Sequence, residues 1–86
     1  MKKFVIKENG TFRLPCGDFD RASFYLLGDL GDSAVVELSC YGTVFHCMEK
    51  EVPVIISMGR GAPLEIIVKD ATNLSGDCSL VIHEVR

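Results

Sequence analysis

The stretch Ser33-Ala34-Val35-Val36-Glu37-Leu38-Ser39-Cys40-Tyr41-Gly42-Thr43-Val44-Phe45-His46-Cys47-Met48 decides the fold class, because it is the longest candidate for a helix in the sequence. It fails as one. Ser33 could cap a helix, but the residue three positions on is Val36, where a capping box needs Glu or Gln. Val35, Val36, Thr43 and Val44 are β-branched and lose side-chain freedom against a helical turn. Gly42 interrupts the run. Read with a period of two, the same residues make sense: Val36, Leu38 and Cys40 face one way, Glu37 and Ser39 the other. That alternation is the pattern of a half-buried strand. Tyr41-Gly42 then separates two strands, Ala34–Cys40 and Thr43–Met48.

Working outward, six further runs carry the same signature. Lys3–Lys7 is followed by Asn9-Gly10, a dipeptide that tolerates positive φ and predicts a hairpin to Thr11–Leu14. Pro15-Cys16-Gly17-Asp18 ends that second run. Ala22–Leu27 stops at Gly28-Asp29-Leu30-Gly31-Asp32. Val52–Ser57 contains Pro53, which cannot donate to a ladder, so this strand is expected at a sheet edge or to begin late. Leu64–Lys69 and Cys78–Val85 alternate again, with Leu64, Ile66, Val68 and Cys78, Leu80, Ile82 in phase. Eight short runs punctuated by turn residues predict an all-β antiparallel sandwich of jelly-roll or Greek-key type, formed as one domain over residues 1–86.

Composition narrows the function. Among 86 residues, nine are basic and twelve acidic, for a net charge of −3, and the charges are spread along the chain. Nucleic-acid binders concentrate basic residues to neutralise phosphates, so no nucleic-acid partner is expected. No apolar run approaches the roughly 18 residues a membrane-spanning helix needs. Phe4-Val5-Ile6 after Lys2-Lys3 is too short for the apolar region of a signal peptide, so an unexported chain with free thiols is expected.

Several chemistries compete with simpler explanations. Cys40, His46, Cys47 and His83 could hold a metal if paired strands brought them together, which is the alternative reading of function. The tight Cys-x-x-Cys knuckles of structural zinc sites are absent, and Cys40 and Cys78 fit as small core residues. Asp18, Asp20, Asp29 and Asp32 could attract calcium, but Asp is also a turn former, and no EF-hand spacing is present. His46 and Cys47 are neighbours on a strand and point to opposite faces, so they cannot form a catalytic couple. Gly59-Arg60-Gly61 precedes a strand rather than a helix and lacks the setting of a phosphate-binding loop. Arg60 is expected as an exposed contact for an acidic partner surface. No exposed Trp suggests a sugar site. The chain is therefore expected not to be an enzyme and to need no cofactor.

What remains is apolar residues out of phase with the core. Phe24 and Leu26 leave Tyr25 and Leu27 on the other side of their strand; Ile55 and Ile67 stand likewise beside Val54, Ile56 and Ile66. A two-layer sandwich buries one face of each sheet. Tyr25, Leu27, Ile55 and Ile67, with Arg60, are thus expected in an assembly interface, with further copies of this chain as the partner.

The rhythm from Ala22-Ser23-Phe24-Tyr25-Leu26-Leu27-Gly28, through Ala34–Cys40, Gly42-Thr43-Val44-Phe45 and Ala62-Pro63-Leu64, to Leu80–Val85 resembles the small β-sandwich structural proteins of tailed bacteriophage virions: head-decoration, head-fibre and tail-associated modules. The resemblance covers about residues 22–85. Phe45 stands where such chains often carry Trp, and four cysteines are more than usual. The likeness implies a non-enzymatic structural role, homo-oligomeric assembly (a trimer being one form), attachment to a larger protein lattice, and a location in the virion or the host cytoplasm. It transfers no catalytic residue.

Overall fold

The computed structural model describes residues 2–14, 20–57 and 59–85. The stretch Pro15-Cys16-Gly17-Asp18, expected from the sequence to end the second run, lies outside them. Eight strands follow one another: β1 (Lys2–Val5), β2 (Gly10–Arg13), β3 (Arg21–Leu27), β4 (Val35–Cys40), β5 (Thr43–Met48), β6 (Val54–Ser57), β7 (Leu64–Lys69) and β8 (Ser79–Val85). All eight predicted runs are strands. β6 begins immediately after Pro53 and lies at an edge, as a residue without an N–H requires.

The strands form two four-stranded sheets, in the orders β1-β8-β3-β6 and β2-β7-β4-β5. Every pairing between named strands is antiparallel. β4 pairs with β5, β3 with β6, β2 with β7 and β1 with β8, so the pairs nest around the Tyr41-Gly42 turn like one long hairpin rolled onto itself. This is the jelly-roll arrangement. The central turn has φ of 53° at Tyr41 and 77° at Gly42. Two positive values are what a two-residue hairpin of type I′ demands.

Asn9-Gly10 behaves differently from its prediction. β1 belongs to one sheet and β2 to the other, so the dipeptide carries the chain across the sandwich and does not close a hairpin. The reason is visible in the Asn9 side chain. Its Oδ1 accepts from Ala71 N–H at 2.9 Å and its Nδ2 donates to Ala71 C=O at 3.2 Å. The carboxamide acts as a substitute peptide group beyond the end of the β2–β7 ladder. Asn9→Ala leaves both Ala71 groups without these partners and should cost about 1–3 kcal/mol. Urea denaturation checks this; Asn9→Asp, which keeps the acceptor for Ala71 N–H but sets a carboxylate oxygen against Ala71 C=O, should lose as much or more.

The core lies between the sheets. Ala22, Phe24, Leu26, Leu80 and Ile82 project from one, and Val36, Leu38, Leu64, Ile66 and Val68 from the other; all are buried. Phe4 and Phe12 meet across the β1/β2 side with ring centroids 5.6 Å apart, a favoured tilted contact. At one end, the β3–β4 loop is tied to the β7–β8 loop: Thr72 and Asn73 N–H both donate to Leu30 C=O, at 2.9 and 3.1 Å, and Asn73 Nδ2 donates to Asp29 C=O at 2.7 Å. Asp29 Oδ1 accepts from Gly31 N–H at 2.9 Å, a turn-forming role. That N–H and then the Lys50 ammonium, 3.2 Å from Oδ2, hold the Asp29 carboxyl below its usual range.

Candidate functional site

The two sheets present outer faces of different character. Strand register places Val5, Val81, Tyr25, Leu27 and Ile55 on the outer face of the β1-β8-β3-β6 sheet, since Lys3, Val81 and Tyr25 stand in one row and His83, Ser23 and Ile55 in another. Ile55 is 67% exposed and Leu27 42%. The charged side chains in phase with them are cationic, Lys3 and Arg21; none of the described outward strand positions of this sheet holds a carboxylate. The outer face of the β2-β7-β4-β5 sheet carries opposed charges instead. Lys69 Nζ lies 3.0 Å from Glu37 Oε1, and Arg13 faces Glu65.

Ile67 requires a correction. It stands opposite Thr11 and Glu37 on this second sheet, half-buried, on the far side of the sandwich from Tyr25, Leu27 and Ile55. Alternation identifies which residues of a strand point outward; it does not say to which sheet the strand belongs. The predicted interface set thus divides: Tyr25, Leu27 and Ile55 share a face, Ile67 does not, and Arg60 sits in the β6–β7 turn.

The cysteines and histidines considered for metal are also dispersed. Cys47 stands opposite Glu37 and His83 opposite Ser23, on outer faces of different sheets. His46 is in phase with Leu38, and Cys40 pairs with Thr43 and Leu64. Among the described residues no three metal-ligating side chains come together. Cys78 is 1% exposed; burial, with the charge of Asp77, pushes its thiol above the ordinary range and leaves it unreactive.

A second feature opens where the edge strands β5 and β6 face each other. Between Leu38 and Ser39 the β4–β5 register slips: Leu38 opposes His46 and Ser39 opposes Val44, so Phe45 has no partner across the ladder. Such a bulge re-aims a side chain and is typical of edges. Phe45 is directed to a cleft of about 420 Å³. Ala62, buried, and Cys40 and Ile56, half-buried, form its deeper part; Tyr41, Phe45 and Arg60 are exposed at its mouth. The turn that presents Arg60 is closed by Ala62 N–H donating to Gly59 C=O at 3.2 Å. Sequence reading singled out Cys40 and Arg60 but treated Tyr41 as a turn residue and Phe45 as a strand residue. Only the exposed tyrosine in a turn that prefers Asn or Gly hinted at more.

Compared with protein-family models, with curated proteins and with solved structures, the chain gives no match.

Proposed function

We propose that the protein is a non-enzymatic assembly module, which associates with further copies of itself through the outer face of the β1-β8-β3-β6 sheet and takes its place in a larger protein lattice of the phage-virion kind. The observation that carries the proposal is the contrast between the two outer faces. One holds Val5, Tyr25, Leu27, Ile55 and Val81 without a carboxylate; the other also carries apolar residues, Val35, Val44 and Ile67, but sets paired charges among them. It is the character of the surface that matters, and its extent is ordinary: the chain exposes 4989 Å², against about 5,000 Å² expected for a folded chain of its mass. Apolar side chains gathered on one face, with cations at the margin, match the core-and-rim anatomy of a contact between proteins. The jelly roll is also an architecture that capsid domains use, which agrees with the resemblance read from the strand rhythm.

A second copy is the occupant proposed because the centre of this face (Tyr25, Val81, Leu27 and Ile55) is uncharged and self-complementary, while its cations stand at the margin, Lys3 on the edge strand β1 and Arg21 at the start of β3. Four strands about 4.8 Å apart and about 20 Å long present a plane of roughly 400 Å². Stable interfaces bury about 800 Å² per partner, so this contact belongs to the weaker class and depends on concentration. Light scattering after size-exclusion chromatography, across a concentration series, should give a mass rising to a defined multiple of the chain's. Leu27→Lys with Ile55→Lys should hold it at one chain's mass. Its unfolding midpoint should change little, since each exposed substitution is worth about 0.5 kcal/mol or less. A wild-type chain that stays monomeric throughout the series overturns the proposal, as does a double variant that assembles unchanged.

A further inference from the structure

We propose that the cleft between β5 and β6 is a binding site for a small aromatic carboxylate, independent of the assembly face. Three observations converge on it. Its volume of about 420 Å³ falls in the range of sites that enclose small molecules, about 300–1,000 Å³. Its surface follows the pattern of such sites, apolar and aromatic with few polar groups: Phe45 and Tyr41 supply aromatic rings, Ile56 and Ala62 apolar depth, and Arg60 the one charge among the described lining residues. The aromatic rings are there through departures from regular structure. Phe45 is the unpaired bulge residue, and Tyr41 is a non-glycine residue at φ 53°, 78% exposed. The non-glycine left-handed conformation at Tyr41 is a local strain of the kind that collects at functional sites, and the bulge turns Phe45 out of the regular ladder.

The charge sets the ligand's sign. A planar guanidinium recognises a carboxylate through two parallel hydrogen bonds. Arg60 is held only loosely: its Nε lies 3.6 Å from Asp20 Oδ1, with both side chains about three-quarters exposed (74% and 75%). An exposed pair of that kind contributes little, so a ligand carboxylate can displace Asp20 while its ring system enters between Phe45 and Ile56. Ser57, also at the cleft, adds a hydroxyl. The cleft is compact, about 420 Å³, a size that suits a free small molecule.

The test uses 2-naphthylacetate and its neutral amide, 2-naphthylacetamide, titrated into the full chain while backbone amide resonances are followed. Saturable shifts are expected at Tyr41–Phe45, Ile56–Ser57 and Gly59–Ala62, with the acid bound more tightly. Arg60→Gln should weaken the acid about tenfold, the low end for a hydrogen bond to a charged group, and leave the amide unchanged. Asp20→Asn should strengthen the acid by about twofold, since it removes an exposed competitor. Phe45→Ala should weaken both ligands. If that variant fails to fold, the wild type gives an independent readout: bound acid slows alkylation of Cys40, which lines the cleft, and leaves the exposed Cys47 on the sheet's outer face unaffected. Shifts centred on Tyr25, Leu27 and Ile55, equal binding of acid and amide, or no saturable binding would each overturn the proposal.

Discussion

Replacing Phe24 by alanine should remove about 3–5 kcal/mol of folding stability, the largest effect of any single substitution considered. Phe24 occupies the middle of β3, between Ile82 of β8 and Val54 of β6, with no solvent exposure. Truncation loses the transfer energy of the ring and leaves a cavity that two sheets cannot close without sliding. An 86-residue domain is expected to have a total stability of about 4–13 kcal/mol. The loss therefore ranges from about a quarter of the total to all of it. Urea or thermal denaturation should show either a much lower midpoint or no folded baseline. Phe24→Leu, which keeps most of the volume, should lose far less. Equal losses for the two variants would mean that the ring does not occupy the centre of the core.

Gly28→Ala is the second large effect, and its cause is different. Gly28 leaves β3 at φ 96°, and an added Cβ would stand 2.8 Å from Cys78 Sγ and 3.1 Å from Cys78 Cα. The backbone conformation alone disfavours alanine by roughly 1–2 kcal/mol. Overpacking against the start of β8 adds about 1–3 kcal/mol, so a total of about 3 kcal/mol is expected. Gly42→Ala separates the two contributions. Gly42 has φ 77° and nothing within 4 Å of an added Cβ, so it should show the conformational cost only. Adding Cys78→Ala to Gly28→Ala should relieve the sulfur contact but leave the one to Cα. Urea midpoints for the single and double variants measure each part.

Much of the fold was legible because strand formation here is local. Alternation in Val36–Cys40 and Leu64–Val68, the glycines and aspartates between runs, and Pro53 at the start of β6 all act within a few residues. Sheet membership is not local. Asn9-Gly10 carries the propensity of a hairpin, yet its chain crosses between sheets because Ala71, 62 residues away, receives the Asn9 carboxamide. Ile67 points outward as its spacing indicates, but β7 pairs with β4 and β2, so it belongs to the other face. The cleft was less legible still. Arg60 and Cys40 stood out by residue type, whereas the role of Phe45 depends on a register slip and that of Tyr41 on how two edges face each other. No short window of sequence contains either fact.

The nesting of strand pairs around Tyr41-Gly42 bears on how the chain finds its structure. Taken separately, the pairing of β1 with β8 joins residues almost a full chain length apart, as Lys2 with Ile82, and such contacts slow folding. Taken in order, each pairing shortens the loop left for the next. Once β4 and β5 have met, β3 and β6 are brought near by the segments that flank them; β2 with β7 and then β1 with β8 follow in the same way. Loop-closure entropy grows with the length still open, so zipping outward from the centre is the least costly sequence of events. A bulge placed two residue pairs beyond that centre therefore lies in the earliest structure to form, and the edge that bounds the cleft is shaped before the rest of the sandwich closes around it.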